Sequence, residues 1–193
     1  MDSLYKLRRE FLLQTLDEKD VDPDPVVQFE IWFEEALKSE ALEPNAMTLS
    51  TATPDGKPSS RIVLLKEIKP EGFVFFTNYN SGKGKQIERN PYCALNFVWH
   101  ELERQVRVEG TVERISPQDS DNYFEYRPEK SKLGAWASPQ SSVIPGRKYL
   151  EELMLKSELN FKNKNISRPP DWGGYIVKPQ MIEFWQGRGE QAS

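Results

Sequence analysis

From residue 46 onward, the sequence is divided into short apolar segments separated by turn residues, and this division limits the fold more than any other feature. Residues 47–53 alternate like a half-buried strand, and residues 54–57 (Pro-Asp-Gly-Lys) supply a hairpin turn. The return strand is predicted over residues 61–66. Short strands joined by turns, with few helices between them, favour an antiparallel sheet that closes as a barrel. The sequence therefore predicts a mainly β fold with peripheral helices.

The remaining elements follow from the same kinds of pattern. Strands are predicted over residues 73–78, 92–99 and 105–115, with a last pair, 172–177 and 181–185, around Lys178 and Pro179. Helices are predicted over residues 84–89, 117–126 and 146–159. Helical spacing of apolar residues predicts a further helix over about residues 3–17, and Asp24 with Pro25 starts another. We therefore predict a single domain over residues 1–193 with an N-terminal helical extension, about residues 1–40.

The composition excludes several classes of function. The 193 residues carry a net charge of -4 and a pI near 5.3, whereas a general nucleic-acid binder shows a basic surplus. One cysteine, Cys93, and one histidine, His100, cannot build a disulfide framework, a usual zinc site or most Cys-His and Ser-His catalytic arrangements. No apolar run is long enough to cross a bilayer, and the N-terminus lacks a signal-peptide core. We expect a cytoplasmic protein with no nucleic-acid or membrane partner and a buried Cys93.

Two basic segments are candidates for binding anions. Arg61 and Lys66 lie at the ends of one predicted strand, roughly 17 Å apart and on opposite faces unless a bulge intervenes. Such a pair suits an elongated anionic ligand, or two phosphorylated ligands, but also an edge strand whose charged ends meet solvent. The loop over residues 81–85 lacks the full Walker spacing, yet its glycines and two lysines open a helix. This loop is either an anion site or a solvated turn.

A third candidate surrounds Arg127. Tyr123 lies four residues earlier, Pro128 places Arg127 at or just past a helix end, and Ser131 follows in the turn. The three side chains would form a compact phosphate cradle. The alternative is that Tyr123 belongs to the core and Arg127 bonds the last helix carbonyls. Residues 134–138 are predicted to form a loop, because they are too polar and too rich in small residues for a core.

Two further residues have weaker individual signals. Gln105 begins a predicted strand and offers both a donor and an acceptor to a flat heteroaromatic ring. Trp185 ends the last strand, where it would stack on a ligand or close the barrel.

Taken in order, these segments resemble the pyridoxine (pyridoxamine) 5′-phosphate oxidase family, over about residues 7–187. The likeness rests on RIVLLK (61–66), FFTN (75–78), SGKGKQIE (81–88), NP (90–91), WHELERQV (99–106), YFEYRPEKSKLGAWASPQSS (123–142), WGGY (172–175) and IEFWQG (182–187). The family is a homodimeric, FMN-binding split β-barrel with each flavin at the subunit interface. The resemblance implies this fold, cofactor and assembly for the present chain.

The resemblance also implies individual roles. Residues that would bind FMN are Arg61, Ile62, Val63, Leu64, Phe76, Thr77, Lys83, Gln105, Gln140, Ser141 and Trp185, of which Gln140, Ser141 and Trp185 would come from the partner subunit. Residues that would grip the 5′-phosphate of the substrate are Lys66, Tyr123, Arg127 and Ser131. No catalytic side chain and no metal are implied, because the flavin carries the chemistry.

The activity implied by the resemblance is that of a pyridoxal 5′-phosphate synthase in vitamin B6 biosynthesis and salvage. Pyridoxamine or pyridoxine 5′-phosphate would lose a hydride from C4′ to flavin N5, and dioxygen would reoxidise the flavin, releasing hydrogen peroxide. Two departures from the family pattern affect this expectation: the first would weaken FMN binding unless Lys85 or another cation compensates, and the second favours an alternative function. Gly82 replaces an arginine of the family, and residues 188–193 (Arg-Gly-Glu-Gln-Ala-Ser) replace its R-L-H-D-R segment. A chain that ends there is expected to bind pyridoxal 5′-phosphate with poor turnover, as a flavin- or pyridoxal-phosphate-binding protein. The other alternative, a split-barrel reductase that uses another flavin or substrate, is disfavoured by the intact set of Lys66, Tyr123, Arg127 and Ser131.

Overall fold

The computed structural model describes residues 15–188, in which seven strands form one antiparallel sheet in the order β2-β1-β5-β6-β7-β4-β3. The strands are β1 (Ala46–Ala52), β2 (Pro58–Leu64), β3 (Glu67–Lys69), β4 (Gly72–Asn78), β5 (Tyr92–Trp99), β6 (Arg104–Arg114) and β7 (Trp172–Gln186). The helices are α1 (Pro25–Lys38), α2 (Gly82–Arg89), α3 (Pro117–Glu125), α4 (Glu129–Ala137) and α5 (Arg147–Phe161). The predicted antiparallel sheet with peripheral helices is confirmed.

The main core lies between one face of the sheet and α1. Asp24 begins this helix, because its side chain accepts hydrogen bonds from the backbone of Val26 and Val27. Phe29 is fully buried, with its ring centroid 4.8 Å from those of Phe73 and Phe97. The predicted start of α1 at Asp24 and Pro25 is therefore confirmed, and the helix covers the sheet through its aromatic face.

Cys93 belongs to the buried side of β5. Burial raises the pKa of its thiol to about 12. The prediction that this cysteine packs in the interior is confirmed. Within residues 15–188, no helix has the length and apolar character needed to span a membrane.

The prediction of a loop over residues 134–138 is wrong, because the residues up to Ala137 belong to α4. This helix begins after Pro128, whose carbonyl accepts hydrogen bonds from the backbone of Ser131 and Lys132. Leu133 and Ala137 are buried. Small residues do not by themselves indicate a loop, because alanine is a strong helix former and lets a helix pack closely.

The last strand also differs from its prediction. Residues 172–186 form one strand instead of two, although Pro179 has no backbone N–H to donate to a neighbouring strand. The register between β6 and β7 shifts between Glu109 and Gly110, which allows the proline to be accommodated at an irregular position. A Cβ atom on Gly110 would lie 2.1 Å from the carbonyl oxygen of Lys178, so this close approach requires glycine.

The return strand β2 ends at Leu64, two residues before the predicted end. Lys66 therefore lies between β2 and β3, and its backbone N–H donates to the carbonyl of Val74. The three-residue strand β3 is too short to have a periodicity that sequence reasoning detects. Of the helix predicted over residues 3–17, positions 3–14 lie outside the described residues, and residues 15–17 are not helical.

Candidate functional site

Lys83 is a buried cation in the first turn of α2. Ser81 caps this helix by accepting a hydrogen bond from the backbone of Gly84. Lys83 is only 9% exposed, and its Nζ lies near three neutral oxygens. These are Thr77 Oγ1 at 3.1 Å, Gln140 Oε1 at 3.4 Å and Ser81 Oγ at 3.5 Å. Burial, followed by the charge of Arg61, lowers the pKa of Lys83.

Arg61 is the second cation of the same site and is also surrounded by neutral groups. Its guanidinium donates to Leu49 O at 3.2 Å, Thr51 Oγ1 at 2.7 Å and Ser59 Oγ at 2.5 Å. Burial lowers the pKa of Arg61. Within residues 15–188, neither Arg61 nor Lys83 forms an ion pair with a carboxylate. Two partly desolvated cations without an anion indicate a site for a negatively charged group.

A cavity of 360 Å³ opens beside these cations, and we refer to it as the Arg61–Lys83 cavity. It is lined by Ser59, Arg61, Ile62, Gly82, Lys83, Gln86, Gln140 and Ser141. Ser141 has a φ of 64°, which is uncommon for a residue with a side chain and occurs often at functional sites. A Cβ atom on Gly82 would meet Ser141 at 3.7 Å, so this position has room for a side chain.

A second cavity, also of 360 Å³, contains Arg127, and we refer to it as the Arg127 cavity. It is lined by Phe76, Thr77, Asn78, Arg127, Ser131, Gly134, Ala135, Ser138, Gln140 and Trp172. Arg127 Nη2 donates to the carbonyl of Ser131 at 3.1 Å, whereas Nε is buried and donates to no group within residues 15–188. Burial lowers the pKa of Arg127.

Aromatic rings form one wall beside this arginine. The ring of Tyr123 stacks on Phe76 with a centroid separation of 3.8 Å, and the Arg127 guanidinium lies 4.5 Å from the ring centroid of Trp172. Burial raises the pKa of Tyr123, and the charge of Arg127 opposes that rise. Of the predicted group, Arg127 and Ser131 line this cavity, whereas Tyr123 does not line it and contacts its wall through Phe76.

Gln140 lines both cavities. Its Oε1 accepts a hydrogen bond from Thr77 Oγ1 at 3.1 Å and lies 3.4 Å from Lys83 Nζ. One amide side chain therefore lies between the two arginine-containing sites.

Gln105 and Trp185 lie together in a third cavity. They are opposite each other in the register of β6 and β7, and they line a cavity of 420 Å³ that also contains His100. Gln105 is three strands from β2 and about three residues along the strand direction from the level of Arg61. Along a flat sheet these offsets correspond to roughly 17 Å between the backbones of Gln105 and Arg61, and neither Gln105 nor Trp185 lines the Arg61–Lys83 cavity.

Comparison with known proteins identifies the family. A model of the pyridoxamine 5′-phosphate oxidase family matches residues 33–152, and one described as the pyridoxine 5′-phosphate oxidase C-terminal dimerisation region matches residues 172–192. The chain is 53% identical over 186 residues to a pyridoxine/pyridoxamine 5′-phosphate oxidase of Cyanothece sp., covering 96% of this chain and 87% of the relative. A protein of the same name from Rubrobacter xylanophilus is 56% identical, with 96% and 85% covered. The chain belongs to the pyridoxamine 5′-phosphate oxidase family.

Solved structures confirm the split-barrel fold of this oxidase family. PhzG from Burkholderia lata, in complex with tetrahydrophenazine-1-carboxylic acid, superimposes with a TM-score of 0.85 at 25% identity, covering 91% of this chain and 87% of that one. An FMN-binding protein related to the family, from Nostoc punctiforme, has a TM-score of 0.66 at 18% identity, with 89% and 87% covered.

The structure brings together some of the residues that the family resemblance indicated, but not all. Arg61, Ile62, Lys83, Gln140 and Ser141 line one cavity within a single chain, although the last two were expected from the partner subunit. The contribution of a partner remains a prediction. Phe76 and Thr77 line the Arg127 cavity instead.

Three other residues of the predicted set are placed differently. Val63 packs against the main core, and neither it nor Leu64 lines the Arg61–Lys83 cavity. Lys66 is exposed and does not line the Arg127 cavity. It lies just before β3, however, and Lys69 of that strand pairs with Asp119 of α3 at 3.4 Å.

Sequence reasoning missed the residues that hold the cations in place. Gln86 Oε1 accepts hydrogen bonds from Thr51 Oγ1 and Ser59 Oγ at 2.6 and 2.8 Å, and both hydroxyls also contact Arg61. The available signal was that Ser59 and Arg61 are two residues apart on one strand and therefore share a face. Trp172 was included only in a family motif, and nothing in its local sequence indicated a contact with Arg127.

Proposed function

We propose that this protein oxidises pyridoxamine 5′-phosphate and pyridoxine 5′-phosphate to pyridoxal 5′-phosphate, with FMN as cofactor and dioxygen as acceptor. The observation that carries the proposal is the pair of adjacent cavities that share Gln140. Each contains a half-buried arginine with no carboxylate partner among the described residues. Two phosphorylated molecules held side by side match this arrangement better than one phosphate does.

Arg61 and Lys83 fit the phosphate of FMN. Their neutral partners, the hydroxyls of Thr51, Ser59 and Thr77, orient both cations without neutralising them. A dianionic phosphate would supply the missing counter-charge. The chemistry supplied by FMN when it is bound is acceptance of a hydride equivalent from the substrate and reduction of dioxygen to hydrogen peroxide.

Arg127, with Tyr123 and Ser131, fits the phosphate of the substrate. The buried Nε of Arg127 donates to no acceptor in the described part of the chain, and burial lowers the pKa of the guanidinium. A charge-assisted hydrogen bond contributes about 1.5–3 kcal/mol, so a few such bonds account for much of a micromolar affinity. The side chains of this cavity would hold and orient the substrate, and separate cations would limit repulsion between the two phosphates.

We also propose that the protein acts as a homodimer with FMN between the subunits. Gln105 and Trp185 would contact the flavin ring, yet in one chain they line a cavity separate from the Arg61–Lys83 cavity. A second copy would bring ring contacts and phosphate contacts together. The match of residues 172–192 to a dimerisation region supports this arrangement.

The test begins with the absorption spectrum of the purified protein and with sedimentation. We expect a flavin spectrum, one FMN per subunit and a dimer. Peroxide is then measured with pyridoxamine 5′-phosphate, pyridoxine 5′-phosphate and unphosphorylated pyridoxamine, and we expect turnover of the two phosphorylated compounds. A flavin-containing protein that produces no peroxide would instead be a binding protein. A monomer that retains stoichiometric FMN would contradict the interface.

A further inference from the structure

Trp172, the first residue of β7, lies at the centre of the contacts around Arg127. It is only 5% exposed, although its ring borders a cavity. We propose that Trp172 is a positioning residue, whose indole face holds the Arg127 guanidinium in the orientation that receives the substrate phosphate. This inference rests on the proposed function and assigns a role within the same site.

The first observation is how Arg127 is held. Its guanidinium carbon lies 4.5 Å from the Trp172 ring centroid and 5.9 Å from that of Phe124, and its Nη2 donates to the carbonyl of Ser131. No carboxylate pairs with it within residues 15–188. An aromatic face attracts a cation without supplying a negative charge. Trp172 thus holds the arginine while leaving it available to an anion, which an aspartate or glutamate at this place would not do.

The second observation is that the indole itself is fixed in orientation. Its ring is nearly parallel to those of Phe76 and Tyr123, with interplanar angles of 13° and 7° and centroid separations of 5.5 and 6.2 Å. The edge of Phe124 meets it at 67°, with centroids 5.2 Å apart. Three aromatic contacts leave the indole little freedom to rotate. The position of its face, and hence of Arg127, is set by packing.

The third observation concerns the backbone of Trp172. Arg168 Nη1 donates to the carbonyl of Trp172 at 2.6 Å, while Arg168 Nε pairs with Asp121 of α3 at 2.7 Å. The start of β7 is therefore attached to α3, the helix that ends just before Arg127. This attachment fixes the indole and the arginine relative to each other.

The experiment measures the binding of pyridoxal 5′-phosphate and of unphosphorylated pyridoxal to the FMN-loaded protein by titration calorimetry. We expect Trp172→Leu to lower the affinity for pyridoxal 5′-phosphate about tenfold, because it removes the cation–π contact. Trp172→Phe should lower it about threefold, because a smaller ring gives a weaker contact. Neither substitution should change the affinity for pyridoxal or for FMN. With pyridoxamine 5′-phosphate, KM should rise while kcat stays the same.

Two controls separate positioning from packing. Trp136→Leu removes another tryptophan, which is 40% exposed on α4 and donates to Ser167 O, and it should leave binding unchanged. In an Arg127→Leu background, adding Trp172→Phe should have no further effect on pyridoxal 5′-phosphate, because the group that it positions is absent. Trp172→Phe keeps the aromatic packing and therefore tests the contact even if the leucine variant fails to fold.

Unchanged phosphate affinity in Trp172→Phe would overturn the inference. Equal losses for pyridoxal and pyridoxal 5′-phosphate, or the same loss with and without Arg127, would also overturn it. Peroxide production by the unsubstituted protein is measured in parallel, since its absence overturns the oxidase function alone. Loss of phosphate binding that depends on both Trp172 and Arg127 would then still support the positioning role.

Discussion

The Arg61–Lys83 cavity and the Arg127 cavity are of equal volume, yet they hold their cations in different ways. In the first, hydroxyl and amide oxygens surround Arg61, on strand β2, and Lys83, in the first turn of helix α2. In the second, a single arginine lies against an aromatic wall. Oxygen partners orient a cation through hydrogen bonds, whereas an aromatic face only holds it from one side. An unpaired cation can therefore be retained either by several weak acceptors or by one flat aromatic surface.

The largest expected effect tests whether the two cavities bind different phosphates. Arg127→Ala should lower the affinity for the phosphorylated substrate about a hundredfold, because loss of a charged partner from a buried phosphate costs about 2–3 kcal/mol. FMN affinity should change little. Calorimetric titration with each ligand checks this result, and Arg147→Ala, which removes an exposed arginine that pairs with Glu151, is the matched control. Equal losses for both ligands would mean that one phosphate contacts both cavities.

Lys83→Met tests the other cavity. FMN affinity should fall about thirtyfold, a loss within the range expected for a charged hydrogen bond, while affinity for pyridoxal 5′-phosphate stays within about twofold. The FMN-free protein should unfold at equal or higher denaturant concentration, because methionine fills the volume without the cost of a buried unpaired charge. Flavin fluorescence on titration and chemical denaturation measure the two quantities. A destabilised FMN-free variant would show that Lys83 serves the fold.

The pH dependence of FMN affinity is a further test of the Arg61–Lys83 cavity. Burial and Arg61 lower the pKa of Lys83, so the FMN-free protein loses this proton below the ordinary lysine range. FMN affinity should therefore decline as pH rises through that lowered pKa, and binding there should take up a proton. Stability of the FMN-free protein should rise over the same window, up to the unfolded pKa, because the unfolded chain binds more protons. Lys83→Met should abolish both effects, and a declining limb that persists would assign the titration to another group.

The smallest expected effect is an increase in FMN affinity. Gly82→Arg should raise FMN affinity about fivefold, because it adds a cation to a cavity where a Cβ atom meets only Ser141, at 3.7 Å. Gly84→Ala is the informative contrast, since its Cβ would lie 2.1 Å from the carbonyl oxygen of Tyr79 and should disrupt the start of α2. Flavin titration and thermal melting compare the two. Weaker FMN binding by Gly82→Arg would show that the cavity has no room for a third cation.

Much of the fold was predictable because its signals are local. The alternation in β1, the turn after it and the proline that follows Asp24 each act over a few residues, and each appears where predicted. The errors arose where distant parts of the chain decide. Pro179 stays within β7 because β6 changes register beside it, and α4 forms because its small residues pack on other elements.

The site residues also differ in how far their contacts could be predicted, according to their separation along the chain. Tyr123 and Arg127 are four residues apart, so their proximity was predictable from helical spacing. Ser131 was predicted in a turn, and this is wrong, because it belongs to α4. Local sequence patterns could not place Gln140 beside Lys83, because 57 residues separate them along the chain. The family resemblance grouped the two, but assigned Gln140 to the partner subunit. Trp172 was missed for the same reason, since its contact with Arg127 joins the first residue of a strand to the end of a distant helix.

The burial of Cys93 has a consequence for the durability of the protein. In the proposed reaction every turnover releases an oxidant beside the polypeptide that produced it. Sulfur is attacked chiefly as the exposed thiolate. The single cysteine of this chain is enclosed in β5 and keeps its proton at physiological pH, since its pKa is raised to about 12. The fold thus protects its own thiol from a product that would otherwise shorten the working life of the enzyme.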